Sequence, residues 1–314
     1  MLSGEDSRRD AVKAMMTSGQ RELVAELERL DGGARFGRSA WQRPEGGGGQ
    51  ARLLENGDVF ERAGVNYSAV HGEGLPEAVA AQHGLDPDGG FFATGLSVVI
   101  HPRNPYVPAF HANFRYFESG GTWWFGGGAD LTPCYGFAED ATHFHRVLKH
   151  YCDTFDPAFH AQAKRACDDH FRLPHRGETR GIGGIFFDHL HLPGPDGWRR
   201  TAAFTAAGIA TIAPAYLPLA QRRHDLPYGE RERQWQLYRR GRYVEFTLVH
   251  DHVTRSGLQT GGYAEAILTA LPPLARWEFE YTPEPGSAEA ALAGFLVPRD
   301  WAGEAAVSGT PLAG

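Results

Sequence analysis

The sequence predicts an α+β fold built on a largely antiparallel sheet. Three observations predict it. Residues 95–130 hold two runs that alternate with the period of a strand, joined by the turn-rich HPRNPYVP. Strands come in hairpin-like and helix-linked groups, without the steady strand–helix rhythm of a parallel sheet. Segments of helical periodicity lie before and after them.

In chain order, residues 7–30 place Val12, Met15, Met16, Leu23, Val24 and Leu27 near one side of an amphipathic helix, with Gly19 a break point. Gly46 to Gly49 read as a flexible loop or lid; the Lys-Ser/Thr ending of a nucleotide phosphate loop is missing. Val65, Tyr67 and Ala69 alternate as a short strand. The central stretch follows. Ser97, Val99 and His101 share one face of its first run. In the second, His111, Asn113 and Arg115 share a face opposite Phe110, Ala112, Phe114 and Tyr116. A hydroxyl, two imidazoles, a carboxamide and a guanidinium thus form a polar floor in an apolar sheet. Trp123, Trp124 and Phe125 lead through three glycines to Asp130, expected at the floor's rim.

Helices are expected over 139–155 and 157–171, then a strand at Ile185, Phe186 and Phe187 ending in Asp188. Helices follow over 198–222 and 229–240. The run from Arg242 to His250 alternates as a strand, HVTRSGLQTGG is a loop, and 263–271 is a helix stopped by Pro272 and Pro273. A final strand covers 275–281, before a short helix.

Composition bounds the function. The chain has 314 residues, 42% hydrophobic and 22% charged, with net charge −7. That supplies a sizeable core and excludes nucleic-acid binding through a general basic field. Three cysteines without a CxxC fit a reducing compartment. Without a membrane-length apolar run or secretory signal, the expectation is a cytoplasmic protein.

Several long pieces resemble the oxygen-dependent coproporphyrinogen III oxidase family: WQRPEGGGG, VFERAGVNYS, LSVVIHPRNPYVPAFHANFRYF, WWFGGGADLTPCY, HRGETRGIGGIFFD, RRGRYVEF, GLQTGG, LPPLARWEF and RDW. They run in the family's order from about Trp41 to Trp301. The resemblance implies a single catalytic domain over 1–314, with the helix at 7–30 and the Gly/Ala tail at 303–314 peripheral. It implies a large flat sheet covered by helices on both faces, and a homodimer. It implies O2-dependent conversion of two propionates of coproporphyrinogen III to vinyl groups, giving protoporphyrinogen IX in haem synthesis. No organic cofactor is implied, and a divalent metal is an open matter. Ser97, Asn113, Phe114 and Arg115 match substrate contacts, with Gly261 and Gly262 in the matching GLQTGG. His111 matches the proton donor; His101, His111, His145 and His175 match candidate metal ligands. Asp130, Arg180 and Asp251 match polar residues of the pocket.

The chemistry agrees with these matches. Arginine's planar fork suits carboxylates, and an apolar sheet with a few fixed polar groups suits the ring. Asp251 or Asp130 is the expected ring-anchoring base, Arg115 and Arg180 the propionate holders, and His111 a proton donor or orienting group. The sequence departs from the family after Asp251, where His252, Val253 and Ser256 replace arginine, glycine and phenylalanine. Tyr263 follows Gly262 where arginine or asparagine is common. Either Arg255 and Tyr263 compensate, or the pocket takes a different tetrapyrrole or works more slowly. Two other functions fit the composition: a metal-dependent oxygenase using His101, His111 and Asp130, and a non-catalytic tetrapyrrole-binding relative.

Overall fold

Strand pairing dominates this computed structural model, which describes residues 4–75, 80–81, 84–259 and 262–303. Seven antiparallel strands form one sheet: β1 (Gly37–Gln42), β2 (Gly47–Glu55), β3 (Phe60–Gly72), β4 (Phe91–Pro102), β5 (Ala109–Ser119), β6 (Thr122–Thr132) and β9 (Gly184–Leu190). Their spatial order is the order of the chain, so the first six form a meander. A small ribbon pairs β7 (Arg172–Leu173) with β8 (Glu178–Thr179).

One face of the sheet is dry. Helices α1 (Gly4–Asp31) and α4 (Gly197–Arg223) lie on it, and α2 (Ala138–Asp153) packs beside α4. Leu96, Val98, Phe110, Ala112 and Phe114 from the strands meet Met16, Leu27, Ile209, Ile212 and Leu219 from the helices. The period-two alternation directs these side chains to one side and the polar set to the other. Helix α1 runs unbroken through Gly19, where a Cβ would collide with Ile209. The glycine thus serves close helix packing rather than a break. Asp31 anchors the end of α1 to the β2–β3 turn. Its carboxylate accepts from the backbone N–H groups of Ala34, Asp58, Val59 and Phe60 at 2.9–3.2 Å.

Among the described residues α4 is the one helix long and apolar enough to cross a membrane, and half of that apolar stretch is buried. It also contains Pro214 and Pro218. Pro218 has no N–H for the carbonyl of Pro214, and His143 Nε2 donates to that oxygen instead at 3.0 Å. Helix α3 (Phe159–His170) runs along β9 at the sheet's edge.

The other face is covered by the C-terminal third. Helix α5 (Glu230–Glu245) continues into a π-helical turn at Phe246–His250, followed by α6 (His252–Gln259) and α7 (Ala264–Ile267) with a 3₁₀ turn at Leu268–Ala270. A short α8 (Ala288–Ala291) lies beyond. Asn66 Nδ2 donates to Ala266 O and Thr269 Oγ1, and Gln236 and Arg240 both donate to Pro102 O. Helices on both faces of an antiparallel sheet match the expected fold class.

Four local expectations are corrected. Gly47 to Gly49 are part of β2, not a loop; a Cβ at Gly49 would strike the Trp41 ring and Tyr67 O. Residues 242–250 are helical, not a strand: the chain simply extends α5, and Asp251 N closes the π-turn on Phe246 O at 2.9 Å. The loop expected after His250 is instead largely α6, so Val253 sits in a helical first turn with no demand for positive φ. Residues 275–281 have no strand partner. They cross α5 at Gly241, where a Cβ would crowd Arg276 O, and Arg276 N donates to Leu237 O. The tail from residue 304 lies outside the described residues.

Candidate active site

Pairing register sets three successive rungs on the polar face. Asn66, Ser97, Asn113 and Gly128 stand opposite one another across β3, β4, β5 and β6. On one side of that row lie Gly64, Val99, His111 and Asp130; on the other lie Ser68, Gly95, Arg115 and Gly126. Most of these side chains are small. Strand and rung spacing give a nearly flat area about 14 Å on a side. Ser97, His111, Asn113 and Arg115 keep partial solvent access, so the area is an open floor rather than filled core.

One end of the floor carries a buried charge assembly. Arg180 follows β8, and its Nη2 lies 2.7 Å from each oxygen of Asp130. Both residues are 3% exposed or less. The guanidinium is enclosed by the rings of Phe171, Tyr243 and Phe246, with centroids 4.1, 4.6 and 4.6 Å away. Burial alone would raise the Asp130 pKa. Arg180 and then the His111 hydrogen bond outweigh it and hold the carboxyl below its ordinary range. Asp130 Oδ1 lies 2.8 Å from His111 Nδ1. An ionised carboxylate accepts only, so Nδ1 carries the proton and Nε2 is left for the cleft. Asp130 therefore stands at the end of an outer rung, buried against Arg180. Its conformation has no helix or turn to cap, because it is paired in β6 with His111 and Gly184.

The other end holds Arg115. It donates to Asn113 Oδ1 at 3.1 Å and pairs with Asp188 at 3.0 Å, both partly exposed. Phe186, next to Gly128 on β9, walls this side. His170 stacks on Phe186 with centroids 4.2 Å apart and an interplanar angle of 8°. Burial and then Arg180 push the His170 pKa down. Neither this histidine nor the aromatic enclosure of Arg180 was among the residues the sequence singled out. His170 ends an otherwise ordinary helix, and only its position beside β9 gives it meaning.

The remaining candidates disperse. Asp251 accepts from Thr254 Oγ1 at 2.7 Å and Val253 N at 3.1 Å, opening α6, while its field still reaches Arg180 and His170. The Phe114 side chain lies on the dry face against α4, so only its backbone belongs to the floor. Tyr263 sits over the β1 side, 3.5 Å from Ser39 Oγ and with its ring 6.0 Å from that of Trp41. Gly262 N donates to Gly257 O, and Gly261 lies outside the described residues. Arg255 is exposed on α6 and donates to Val249 O at 3.3 Å.

The four histidines matched to metal ligands do not converge. His101 Nε2 meets Ala270 O at 2.9 Å, and His145 Nε2 meets Ile182 O at 3.0 Å; both rings are buried. Burial, then Arg240, pushes His101 down to about 3; burial, then Lys164, does the same to His145. His175 bonds Glu245 at 2.7 Å and His250 at 3.0 Å. His111 alone stands with Asp130. Among the described residues no group of three or more His, Cys, Asp or Glu is placed to hold a metal ion. The donor set therefore does not fit the metal site the matches implied, nor the His101–His111–Asp130 facial site.

A family described as Coproporphyrinogen III oxidase matches residues 11–301. The chain belongs to that family. It is 48% identical over 329 residues to the oxygen-dependent coproporphyrinogen-III oxidase of Parasynechococcus marenigrum (strain WH8102), covering 98% of this chain and 90% of that protein. It is 49% identical over 305 residues to the protein of the same description from Prochlorococcus marinus (strain MIT 9313), covering 90% and 87%. Membership spans the floor, the Asp130–Arg180 pair and the covering C-terminal third.

Proposed function

We propose that this chain oxidatively decarboxylates two propionates of coproporphyrinogen III to vinyl groups with O2, giving protoporphyrinogen IX in haem synthesis. The observation that carries this is the flat three-rung floor, with His111 fixed at one end and Arg115 at the other. Its glycines leave backbone near the surface, where a four-ring macrocycle can lie. Arg115 can exchange Asp188 for a propionate, because both partners are partly exposed. Arg180 is enclosed and committed to Asp130, so it acts through that carboxylate rather than as a propionate holder. Asp130 fixes the His111 tautomer, and His111 Nε2 is the group offered to the substrate. Each conversion releases CO2 and one proton and passes two electrons to O2.

No organic cofactor enters this scheme. A cytoplasmic location is part of this reading. A homodimer fits a run of exposed large side chains beside α5: Leu274 at 56%, Trp277 at 52% and Phe279 at 92% exposure. The deciding experiment is incubation with coproporphyrinogen III in air and under nitrogen, then separation of the oxidised porphyrins. Protoporphyrin forms only in air; none in air refutes the proposal. Binding without CO2 release would instead mark a non-catalytic relative. The exposed Arg255 favours one variation, a slower enzyme or one with a different tetrapyrrole preference, which side-by-side turnover of related porphyrinogens would reveal.

A further inference from the structure

We propose that a groove on the dry side of the sheet, between α1 and the β1–β2 hairpin, binds a small polyanion. The groove is about 420 Å³, a size that suits a small molecule rather than a lone ion. Its lining includes Arg21, Arg38 and Arg52, and no aspartate or glutamate. Tyr67 also lines it and points away from Asn66 and Ser68, so the groove is separated from the candidate active site by the thickness of the sheet.

The decisive feature is how the three guanidiniums are held. Arg21 donates to Ser18 Oγ at 2.9 Å. Arg52 donates to the carbonyls of Gly37 and Phe36, both at 3.2 Å. Arg38 donates through Nε and Nη2 to Gln50 at 2.9 Å once that amide is turned to present its oxygen. Every partner is neutral, and none of the three arginines has an ion pair among the described residues. Glu22 joins this chain of bonds only by accepting from Ser18 Oγ. Elsewhere arginines such as Arg180, Arg223, Arg233 and Arg239 are matched to carboxylates. Three uncompensated guanidiniums around one small-molecule-sized groove, on a chain of net charge −7, form a local positive site against the global sign. Each keeps N–H donors beyond those bonds, in the fork geometry that suits carboxylate or phosphate oxygens. The ligand class is therefore a small molecule with two or three anionic groups.

Calorimetric titration of the full chain with tricarballylate and with pyrophosphate tests this. One site is expected in the wild type and in Arg115→Gln, whose change lies on the opposite face. Affinity falls at least about tenfold in Arg21→Gln/Arg38→Gln and less in Arg21→Lys/Arg38→Lys, which keeps the charge should the first variant fold poorly. Whichever probe binds more tightly assigns the anionic group as carboxylate or phosphate. The proposal is overturned if neither probe binds in the millimolar range, or if binding disappears in Arg115→Gln but survives the paired substitution. It is also overturned if the probes fail to bind and the paired substitution abolishes self-association in sedimentation, which would make the groove a subunit contact.

Discussion

Asp130 joins a buried cation to the imidazole that faces the cleft, so its charge matters twice. Asp130→Asn leaves Arg180 buried without its carboxylate partner, an expected cost of roughly 3–5 kcal/mol by denaturant titration. It also frees the His111 tautomer, and kcat should fall about 100-fold or more. Because the folded pKa of Asp130 is depressed, its stabilisation is complete above the unfolded value and is lost as pH falls through the lower folded one. The two neutral buried histidines act earlier in a titration. His101 and His145 titrate near 3 when folded and near 6.5 when unfolded. Between those values the unfolded chain binds the extra protons, so stability declines as pH falls from about 6.5, by up to roughly 1.4 kcal/mol per pH unit for each. Unfolding at pH 7, 6 and 5 should show that slope, and His145→Gln should reduce it. Arg255→Ala should leave KM within about twofold, since its guanidinium is exposed and bonded to Val249 O. A large rise in KM would restore the idea that Arg255 replaces the family's cation.

At the scale of elements, the floor works because it is level. Gly95 lies in its outer rung, and a Cβ there meets only Phe114 O closely, at 3.1 Å. Gly95→Ala raises a step in the floor and presses on that backbone oxygen, so it costs some stability as well. Substrate KM should rise about tenfold or more in the folded variant; an unchanged KM would show that the ring lies elsewhere. The floor itself was legible in the sequence, because period-two alternation in β4 and β5 cannot be hidden by context. The run after Arg242 was not. Its alternation is compatible with a strand, and only the continuation of α5, with Arg276 crossing Gly241, selects the helix. Asp130 and Arg180 were each named from the motifs, but their contact joins positions 50 residues apart and no local pattern encodes it. His101 and His145 illustrate the same limit: a histidine bonded to a backbone carbonyl in the core carries the same letter as a ligand.

Across the whole molecule, the two faces of the sheet differ in chemistry and in what they still expose. The dry face is covered by α1, α2 and α4, apart from the groove beside the β1–β2 hairpin. The covered polar face leads outward to the exposed Leu274, Trp277 and Phe279, the side chains on which the proposed dimer rests. Sedimentation should give a dimer, and Phe279→Asp should shift it toward monomer. A wild-type monomer at micromolar concentration would refute the dimer. Among the described residues one continuous core draws on α1, six strands and residues as late as Trp301.

The enclosure of Arg180 has a consequence in time. The guanidinium is contributed before β9, but two of its three aromatic walls, Tyr243 and Phe246, come more than sixty residues later. A growing chain emits about 5–20 residues per second, so the Asp130–Arg180 pair waits roughly 3–13 s with one side wet. During that interval the sheet and α1 can already be packed, while the pair is still screened by water. Only the arrival of α5 and its π-turn removes that water, and the His111 environment is set at the same moment. The His111 end of the floor is thus one of the last parts of this protein to be enclosed.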